Sequence, residues 1–249
     1  MEYSDRLLTG VVAALDMEAR SLNPRTRRRD GLFEVGDGTL LAVSGMGRAA
    51  AVVAAGALVD AGATALVSWG LAGGLDPALR AGTICLPSVV VSRDGSTFTT
   101  ELHWREILSA AIGQWLIVVN GKLLTSAVAI EDVAAKAAAF GETGAVAVDM
   151  ESAGVAQIAA LNRLPFVAVR AIVDTADDAI PRAVMAAGTE GRVRIGRLIL
   201  EIVCSPREIA PMVRLAKRYR AATRALAAVA RTGALAPFAF GAAHPDRIA

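Results

Sequence analysis

The chain has 249 residues, of which 54% are hydrophobic and 4% aromatic, and its formal net charge is +2. This length fits one α/β domain of ordinary size. We predict a single domain over residues 1–249, with a core over 1–190 and a helical extension over 191–249. Two cysteines, Cys85 and Cys204, and two histidines, His103 and His244, follow no metal-ligand spacing, so we expect neither a metal nor a cofactor.

Charge is distributed unevenly along the chain. The segment Arg192–Arg231 has ten Arg and Lys residues against Glu201 and Glu208, which leaves a net charge of −6 for the rest. We interpret the basic segment either as a solvated helix face or as a contact with an anionic membrane surface. Scarce cysteine and the lack of a long uncharged run favour a cytoplasmic protein, peripheral at the inner membrane face if this contact exists. We expect no nucleic-acid partner.

Strand-like apolar runs alternate with helical segments through the first 180 residues. The predicted strands are Leu7–Leu15, Leu40–Val43, Ala65–Trp69, Thr83–Ser92, Leu116–Val119, Leu123–Ala127, Ala145–Val148 and Leu164–Ile172. The predicted helices are Arg48–Ala61, Ala134–Phe140 and Met150–Asn162. This alternation predicts a layered α/β fold with a largely parallel sheet. After Pro181 the chain is predicted to be mostly helical.

Three acidic residues follow predicted strands. Glu18 comes after the first strand, Glu151 after Ala145–Val148, and Asp174 after Leu164–Ile172. Open α/β sheets bind their ligands at the carboxyl ends of strands. Each acid alone is better explained by a helix N-terminus or a turn, but three together indicate an enzyme that splits a polar, ring-bearing substrate.

Two glycine-rich loops also follow predicted strands. The segment Gly45-Met-Gly-Arg-Ala-Ala50 matches a dinucleotide-binding fingerprint. The acid expected after the next strand is replaced by Gly70-Leu-Ala-Gly-Gly-Leu75, which disfavours that interpretation. We favour a backbone approach to a sugar or an anion in the first loop, and a planar ligand or a tight turn in the second.

Five segments together resemble the nucleoside phosphorylase superfamily, on the side of the methylthioadenosine/S-adenosylhomocysteine nucleosidases. They are Ala14-Leu-Asp-Met-Glu18, Ser44-Gly-Met-Gly47, Gly70-Leu-Ala-Gly-Gly-Leu75, Val148-Asp-Met-Glu151 and Arg170-Ala-Ile-Val-Asp174. A narrower likeness to the hopanoid-associated branch lies in Gly73-Gly-Leu-Asp-Pro-Ala-Leu-Arg80, Ala147-Val-Asp-Met-Glu-Ser152, Gly191-Arg-Val-Arg-Ile-Gly196 and Pro211-Met-Val-Arg-Leu-Ala216. The resemblance implies a three-layer α/β/α domain with a mixed, mostly parallel sheet and a homodimeric assembly.

The resemblance also implies a set of roles for individual residues. Asp174 is expected to protonate the purine N7, and Glu18 to activate a water molecule near the anomeric carbon. Glu151 is expected to bind the ribose hydroxyls, with Met150 packed on the ribose. The other expected substrate contacts are Ser44, Gly45, Gly70, Leu71, Ala72, Gly73 and Ile130. Ile130 lies where the family usually stacks an aromatic ring on adenine.

The implied reaction removes adenine from a nucleoside with a bulky 5′ substituent, and the hopanoid-associated likeness implies the lipid-linked substrate adenosylhopane. Hydrolysis is favoured over phosphorolysis because Leu71 offers phosphate no donor and Glu18 repels an anion. Arg48 nonetheless remains available for phosphate. A non-catalytic binder of adenine nucleosides or of a lipid surface is the alternative of a different class.

Overall fold

The computed structural model describes residues 7–23, 25–29, 31–36, 38–179, 188–189, 192–193 and 209–236. Within these residues the strands are β1 (Thr9–Ala13), β2 (Arg25–Arg29), β3 (Leu32–Gly36), β4 (Thr39–Val43), β5 (Ala65–Gly74), β6 (Ile84–Cys85), β7 (Val89–Ser92), β8 (Thr97–Thr99), β9 (Val118–Val119), β10 (Lys122–Thr125), β11 (Ala145–Asp149), β12 (Phe166–Asp174), β13 (Gly188–Thr189) and β14 (Arg192–Val193). The helices are α1 (Asp16–Ala19), a 3-10 turn (Arg20–Leu22), α2 (Arg48–Asp60), α3 (Leu102–Ile112), α4 (Val133–Thr143), α5 (Ser152–Leu161) and α6 (Ile209–Arg231). Cys204 and His244 lie outside the described residues, as do residues 180–187, 194–208 and 237–249 of the predicted core and extension.

Strand β5 is the centre of a mixed sheet. Its first half pairs in parallel with β1 on one side and with β12 on the other. Strand β1 continues in parallel to β4, and β10 pairs in parallel with both β11 and β7. Antiparallel pairs occur at the edges, in β2–β3–β4 and β7–β8, and also where β5 meets β11 and β12 meets β6. The prediction of a layered fold with a mixed, mostly parallel sheet is therefore confirmed.

The two faces of the sheet are covered by different helices. Alternate residues of a strand point to opposite faces, so Val11 packs with α3 and α6 while Val12 packs with α2 and α5. Val167 and Ala168 of β12 divide in the same way. This arrangement is the predicted three-layer α/β/α architecture.

Helix α6 is part of the packed core rather than a separate appendage. Its apolar side chains Ala222, Ala225, Leu226 and Val229 are buried against the sheet. Most of its basic side chains are exposed, whereas Arg218 is half-buried and pairs with Asp178. Among the described residues, every helix is too short or too polar to cross a membrane.

Several predicted boundaries were wrong. The predicted glycine loop at 70–74 is the second half of β5, because β12 and β11 supply backbone partners that compensate for the missing side chains. The predicted strand Thr83–Ser92 is divided into β6 and β7 around Pro87, which has no N–H for a ladder. Some elements were not predicted at all: β2, β3, β8 and α3, whose mixed polar composition hides their periodicity, and the short β13–β14 pair.

Candidate active site

A cleft opens at the edge of the sheet where β1, β5, β11 and β12 end. Its lining residues are Ala14, Leu15, Glu18, Met46, Leu71, Ala72, Gly73, Val128, Ala129, Ile130, Val148, Asp149, Met150, Glu151, Val173 and Asp174. Strands β5 and β11 run in opposite directions and overlap at their tips, with Val148 opposite Gly73. This overlap brings Glu151, which follows β11, to the same cleft as Glu18 and Asp174.

Glu18 is fixed by the backbone on three sides. Its Oε2 accepts hydrogen bonds from the amides of Ala14 and Leu15, each at 3.0 Å, and its Oε1 accepts from the amide of Leu71 at 2.8 Å. A carboxylate has about four acceptor positions, so the three amides leave one of them unfilled by the described residues. Burial raises the pKa of Glu18, while Arg170 and these amide donors oppose the shift.

Arg170 is a buried cation beneath the cleft. Its Nη2 lies 2.7 Å from Asp149 Oδ2 and donates to Ser68 Oγ at 2.6 Å, and the same nitrogen lies 4.0 Å from Glu151 Oε2. Its Nη1 has no hydrogen-bond partner within the part of the chain that the structure describes. Arg170 therefore neutralises part of a cluster of acids, and its guanidinium is not presented to the cleft as a free anion site.

Glu151 reaches across the cleft floor from the N-terminus of α5 to the N-terminus of α2. Its Oε1 accepts from the Gly47 amide at 2.8 Å, and its Oε2 accepts from the Met150 amide at 3.3 Å. Burial, reinforced by the charge of Asp149, raises the pKa of Glu151 to about 7. Because Glu151 lines the cleft, its carboxylate can accept hydrogen bonds from a polar ligand, such as the hydroxyls of a sugar.

Asp174 ends β12 and is paired with a buried lysine. Lys136 of α4 has no exposed surface, and its Nζ contacts Asp174 Oδ2. Helix α4 is positioned by its caps: the Asp132 side chain accepts from the Ala135 amide at 2.7 Å, and Gly144 ends the helix in the left-handed conformation. Burial raises the pKa of Asp174, against the opposing effect of the Lys136 charge.

A family model described as the phosphorylase superfamily matches residues 31–203, which is well over half of the chain. The chain belongs to the phosphorylase superfamily. A search of curated protein sequences finds no match. The five motif segments that suggested this superfamily all lie at the strand ends around the cleft.

Solved structures show the same fold as this superfamily member. The 5′-methylthioadenosine/S-adenosylhomocysteine nucleosidase from Neisseria meningitidis is 18% identical, with 90% of this chain and 97% of that chain covered and a TM-score of 0.68. Futalosine hydrolase of Helicobacter pylori is 15% identical, with 91% and 98% covered and a TM-score of 0.67. At these identities the likeness shows the fold alone.

The Glu151 carboxylate binds the N-terminus of α2, the place where a dinucleotide-binding protein would hold a pyrophosphate. The Gly47 amide donates to the Glu151 carboxylate, as described above. A pyrophosphate at this helix end would be placed against a carboxylate. The match of Gly45–Ala50 to a dinucleotide fingerprint is therefore explained by the turn into α2, where both Gly45 and Gly47 have positive φ.

Most of the predicted site residues line the cleft. Those that do are Glu18, Leu71, Ala72, Gly73, Ile130, Met150, Glu151 and Asp174. Three do not: Ser44 and Gly45 bond to the backbone at the end of β1, and Gly70 lies between Glu18 and Arg170. Their contribution is to the shape of the site.

Three charged residues around the site were not predicted from the sequence: Lys136, Asp149 and Arg170. Arg170 carried a usable signal, because an arginine within a continuous apolar strand must be buried and therefore paired with an acid. Asp149 lies two residues before Glu151, and of these two acids the sequence prediction assigned a role to Glu151 alone. Lys136 carried no such signal, since a lysine in an Ala-rich helix is usually exposed.

Proposed function

We propose that this protein cleaves the N-glycosidic bond of an adenine nucleoside with a bulky apolar 5′ substituent, by hydrolysis. The observation that carries the proposal is the meeting of three buried carboxylates, Glu18, Glu151 and Asp174, around one cleft. Asp174 protonates the leaving adenine, Glu151 holds the ribose hydroxyls, and Glu18 activates the attacking water.

The leaving group needs an acid because adenine departs poorly as an anion. A buried carboxyl favours its protonated form, and burial is the largest effect on Asp174. As the glycosidic bond breaks, positive charge develops on the sugar, and the nearby Glu151 carboxylate stabilises it by analogy with glycoside hydrolysis. Glu18, with one acceptor position free, takes the proton of the water that attacks the anomeric carbon.

Water is favoured over phosphate by the charges around the cleft. Phosphate binding requires free donors, above all arginine. Arg48 is turned away from the lining and pairs with Asp94 at 2.5 Å and with Gln157 Oε1 at 3.0 Å. Arg170 is held by Asp149 and Ser68. An incoming phosphate would therefore meet the acids Glu18 and Glu151 without a compensating free guanidinium among the described residues.

The preferred substrate within this proposal is adenosylhopane, with adenine and ribosylhopane as products. The cleft lining is rich in apolar side chains, and two of them at its mouth are well exposed: Met46 at 48% and Val128 at 69%. Exposed apolar surface beside a polar site suits an apolar substituent on the ligand. The narrower sequence likeness to the hopanoid-associated branch supports the same choice.

The test is adenine release from adenosylhopane and from methylthioadenosine by the wild type, Asp174→Asn and Asp177→Asn. Asp177 follows Asp174 closely in the chain, is exposed and does not line the cleft, so it is the matched control. We expect the Asp174 variant to lose about 10²–10⁴-fold in kcat and the Asp177 variant to keep wild-type activity. Release of adenine from neither substrate would favour the non-catalytic binder.

A further inference from the structure

Lys136 is a charged residue with no exposed surface, and it lies behind Asp174 rather than on the cleft lining. A buried lysine is unfavourable unless its charge is compensated. It is one of the two buried residues of α4, together with Ala139. The inward position of Lys136 therefore calls for a role that an exposed lysine on the same helix could not perform.

Every N–H donor of the Lys136 ammonium has an acceptor. Its Nζ contacts Asp174 Oδ2, and it donates to the carbonyl oxygens of Thr175 at 2.8 Å and Asp178 at 2.9 Å. An ammonium has three donors and no acceptor. The two carbonyls hold the nitrogen in place, and the third N–H is directed at the carboxyl group that faces the cleft.

The other charges near this pair largely cancel each other. Asp178 and Arg218 both act on Asp174 at longer range, Asp178 raising its pKa and Arg218 lowering it. These two residues form an ion pair with each other, between the end of β12 and α6. Lys136 is therefore the charged group in direct contact with the Asp174 carboxylate.

We propose that Lys136 is the source of the proton that Asp174 passes to the leaving adenine; this inference rests on the proposed function. An N–H bond of Lys136 breaks as an O–H bond forms on Asp174. That O–H bond breaks as the N–H bond of adenine forms, and the electron pair of the glycosidic bond leaves with the base. Lys136 ends neutral and Asp174 ends ionised, and solvent restores the lysine proton after release of the products.

The surroundings of Lys136 suit both protonation states. Burial penalises the two charges of the ion pair, which brings the neutral lysine–carboxylic acid pair closer to it in free energy. The neutral amine keeps two N–H donors for the carbonyls of Thr175 and Asp178, and its lone pair then faces Asp174. The transfer leaves each of these polar groups with a partner.

Two mechanisms for the acid predict different pH profiles. If Asp174 works alone, its proton is lost as pH rises through its own pKa. If Lys136 supplies the proton, the pair remains competent as long as Lys136 carries its charge. Replacing Lys136 with methionine, which has similar length and no charge, should convert the second profile into the first.

The experiment measures kcat against pH for the wild type and Lys136→Met. Lys122→Met is the matched control, because Lys122 is an exposed lysine that bonds a single carbonyl, of Thr143 at 3.2 Å. Each protein is assayed with the adenine nucleoside and with a 4-nitrophenyl riboside carrying the same 5′ group, whose leaving group needs no proton. We expect Lys136→Met to act within about threefold of the wild type at about pH 6 and at least tenfold below it at about pH 9 on adenine nucleoside alone.

The proposal is overturned if the ratio of Lys136→Met to wild type is constant with pH or equal for both substrates, since a structural role gives that result. A faster variant would also overturn it, by showing that Lys136 only holds Asp174 ionised. If Lys136→Met does not fold, Lys136→Arg decides: a guanidinium does not release its proton, so an arginine variant as active as the wild type on the adenine nucleoside contradicts the proposal. A wild type that releases no adenine instead refutes the proposed function itself.

Discussion

The carboxylate of Glu18 and the guanidinium of Arg170 both occupy the space where a side chain of residue 70 would begin. A Cβ atom at this position would come within 2.4 Å of both Glu18 Oε1 and Arg170 Nη1. Gly70 is therefore required by close packing of two charged groups. The same stretch of β5 also positions Glu18 directly, because the amide of the next residue, Leu71, donates to its carboxylate.

Gly70→Ala should damage the site and the fold together. The added methyl group has to displace either the arginine or the glutamate, both of which are held by other partners. We expect a loss of about 1–3 kcal/mol in the free energy of unfolding and a fall in kcat of at least about tenfold. Urea denaturation and the adenine-release assay measure the two effects.

Gly56→Ala is the control for that substitution. Gly56 lies in α2, and a Cβ there meets no atom of the described residues within 4 Å. Alanine in a helix interior is favoured over glycine, so the free energy of unfolding of this variant should increase by about 0.5–1 kcal/mol. Equal effects of the two substitutions would mean that the crowding at Gly70 has no consequence.

Glu18→Gln should abolish the base while largely sparing substrate binding. Burial raises the pKa of Glu18, so wild-type activity should rise with pH as Glu18 ionises, and this limb should be missing in the variant. We expect kcat to fall by at least about 100-fold with little change in KM. Glutamine cannot accept from all three amides, so unfolding curves must accompany the kinetics.

The control for Glu18 is Asp16→Asn in the same short helix, whose side chain is exposed. It should retain wild-type kcat and the wild-type pH profile. A Glu18→Gln enzyme with kcat within about threefold of the wild type would assign water activation to another group.

Glu151 should make the folded protein less stable as pH rises. Its pKa is about 7 in the folded state against an ordinary value of 4.5, so between these values the folded protein binds a proton that the unfolded chain has released. The free energy of unfolding then falls as pH increases across this window. In Glu151→Gln this contribution is absent. The free energy of unfolding of the variant, relative to that of the wild type, should therefore increase by up to about 3 kcal/mol between about pH 5 and about pH 8.

Denaturant unfolding at several pH values measures this effect in the absence of ligand. Glu142→Gln provides the comparison, because Glu142 is exposed on α4. A stability difference between Glu151→Gln and the wild type that does not change with pH would refute the assignment of a raised pKa to this carboxyl.

We expect the proposed membrane contact of α6 to be electrostatic, because the apolar side chains in the second half of this helix are buried in the core. Its exposed basic residues include Arg214, Lys217, Arg220 and Arg224. Replacing these four with glutamine should lower binding to phosphatidylserine vesicles by at least about tenfold, with wild-type binding weakened by salt. Co-sedimentation measures the bound fraction.

The comparison for α6 is the removal of four exposed charges elsewhere, at Arg80, Arg93, Lys122 and Arg163. An equal loss of binding in both variants would mean that net charge, and no particular face, governs the contact. Deleting the helix is a poor test, since Leu226 and Val229 are part of the hydrophobic core.

Strand ends were predictable from the sequence because apolar runs mark buried strands, and an acid directly after such a run stands out. Asp174 at the end of β12 and Glu18 after β1 were found in this way. The second half of β5 was not, because glycines leave no apolar pattern and its pairing depends on β11 and β12, which are distant in sequence. The Lys136–Asp174 pair was hidden for a similar reason: a separation of 38 residues is closed only by the fold.

The central claim of hydrolysis is tested most directly by incubating the protein with adenosylhopane in ¹⁸O-labelled water, with and without phosphate. We predict equal rates of adenine release in both conditions and one ¹⁸O atom at the anomeric carbon of the ribosyl product. Release that requires phosphate and yields a ribose 1-phosphate without the label would contradict the account, and would remove the role assigned to Glu18.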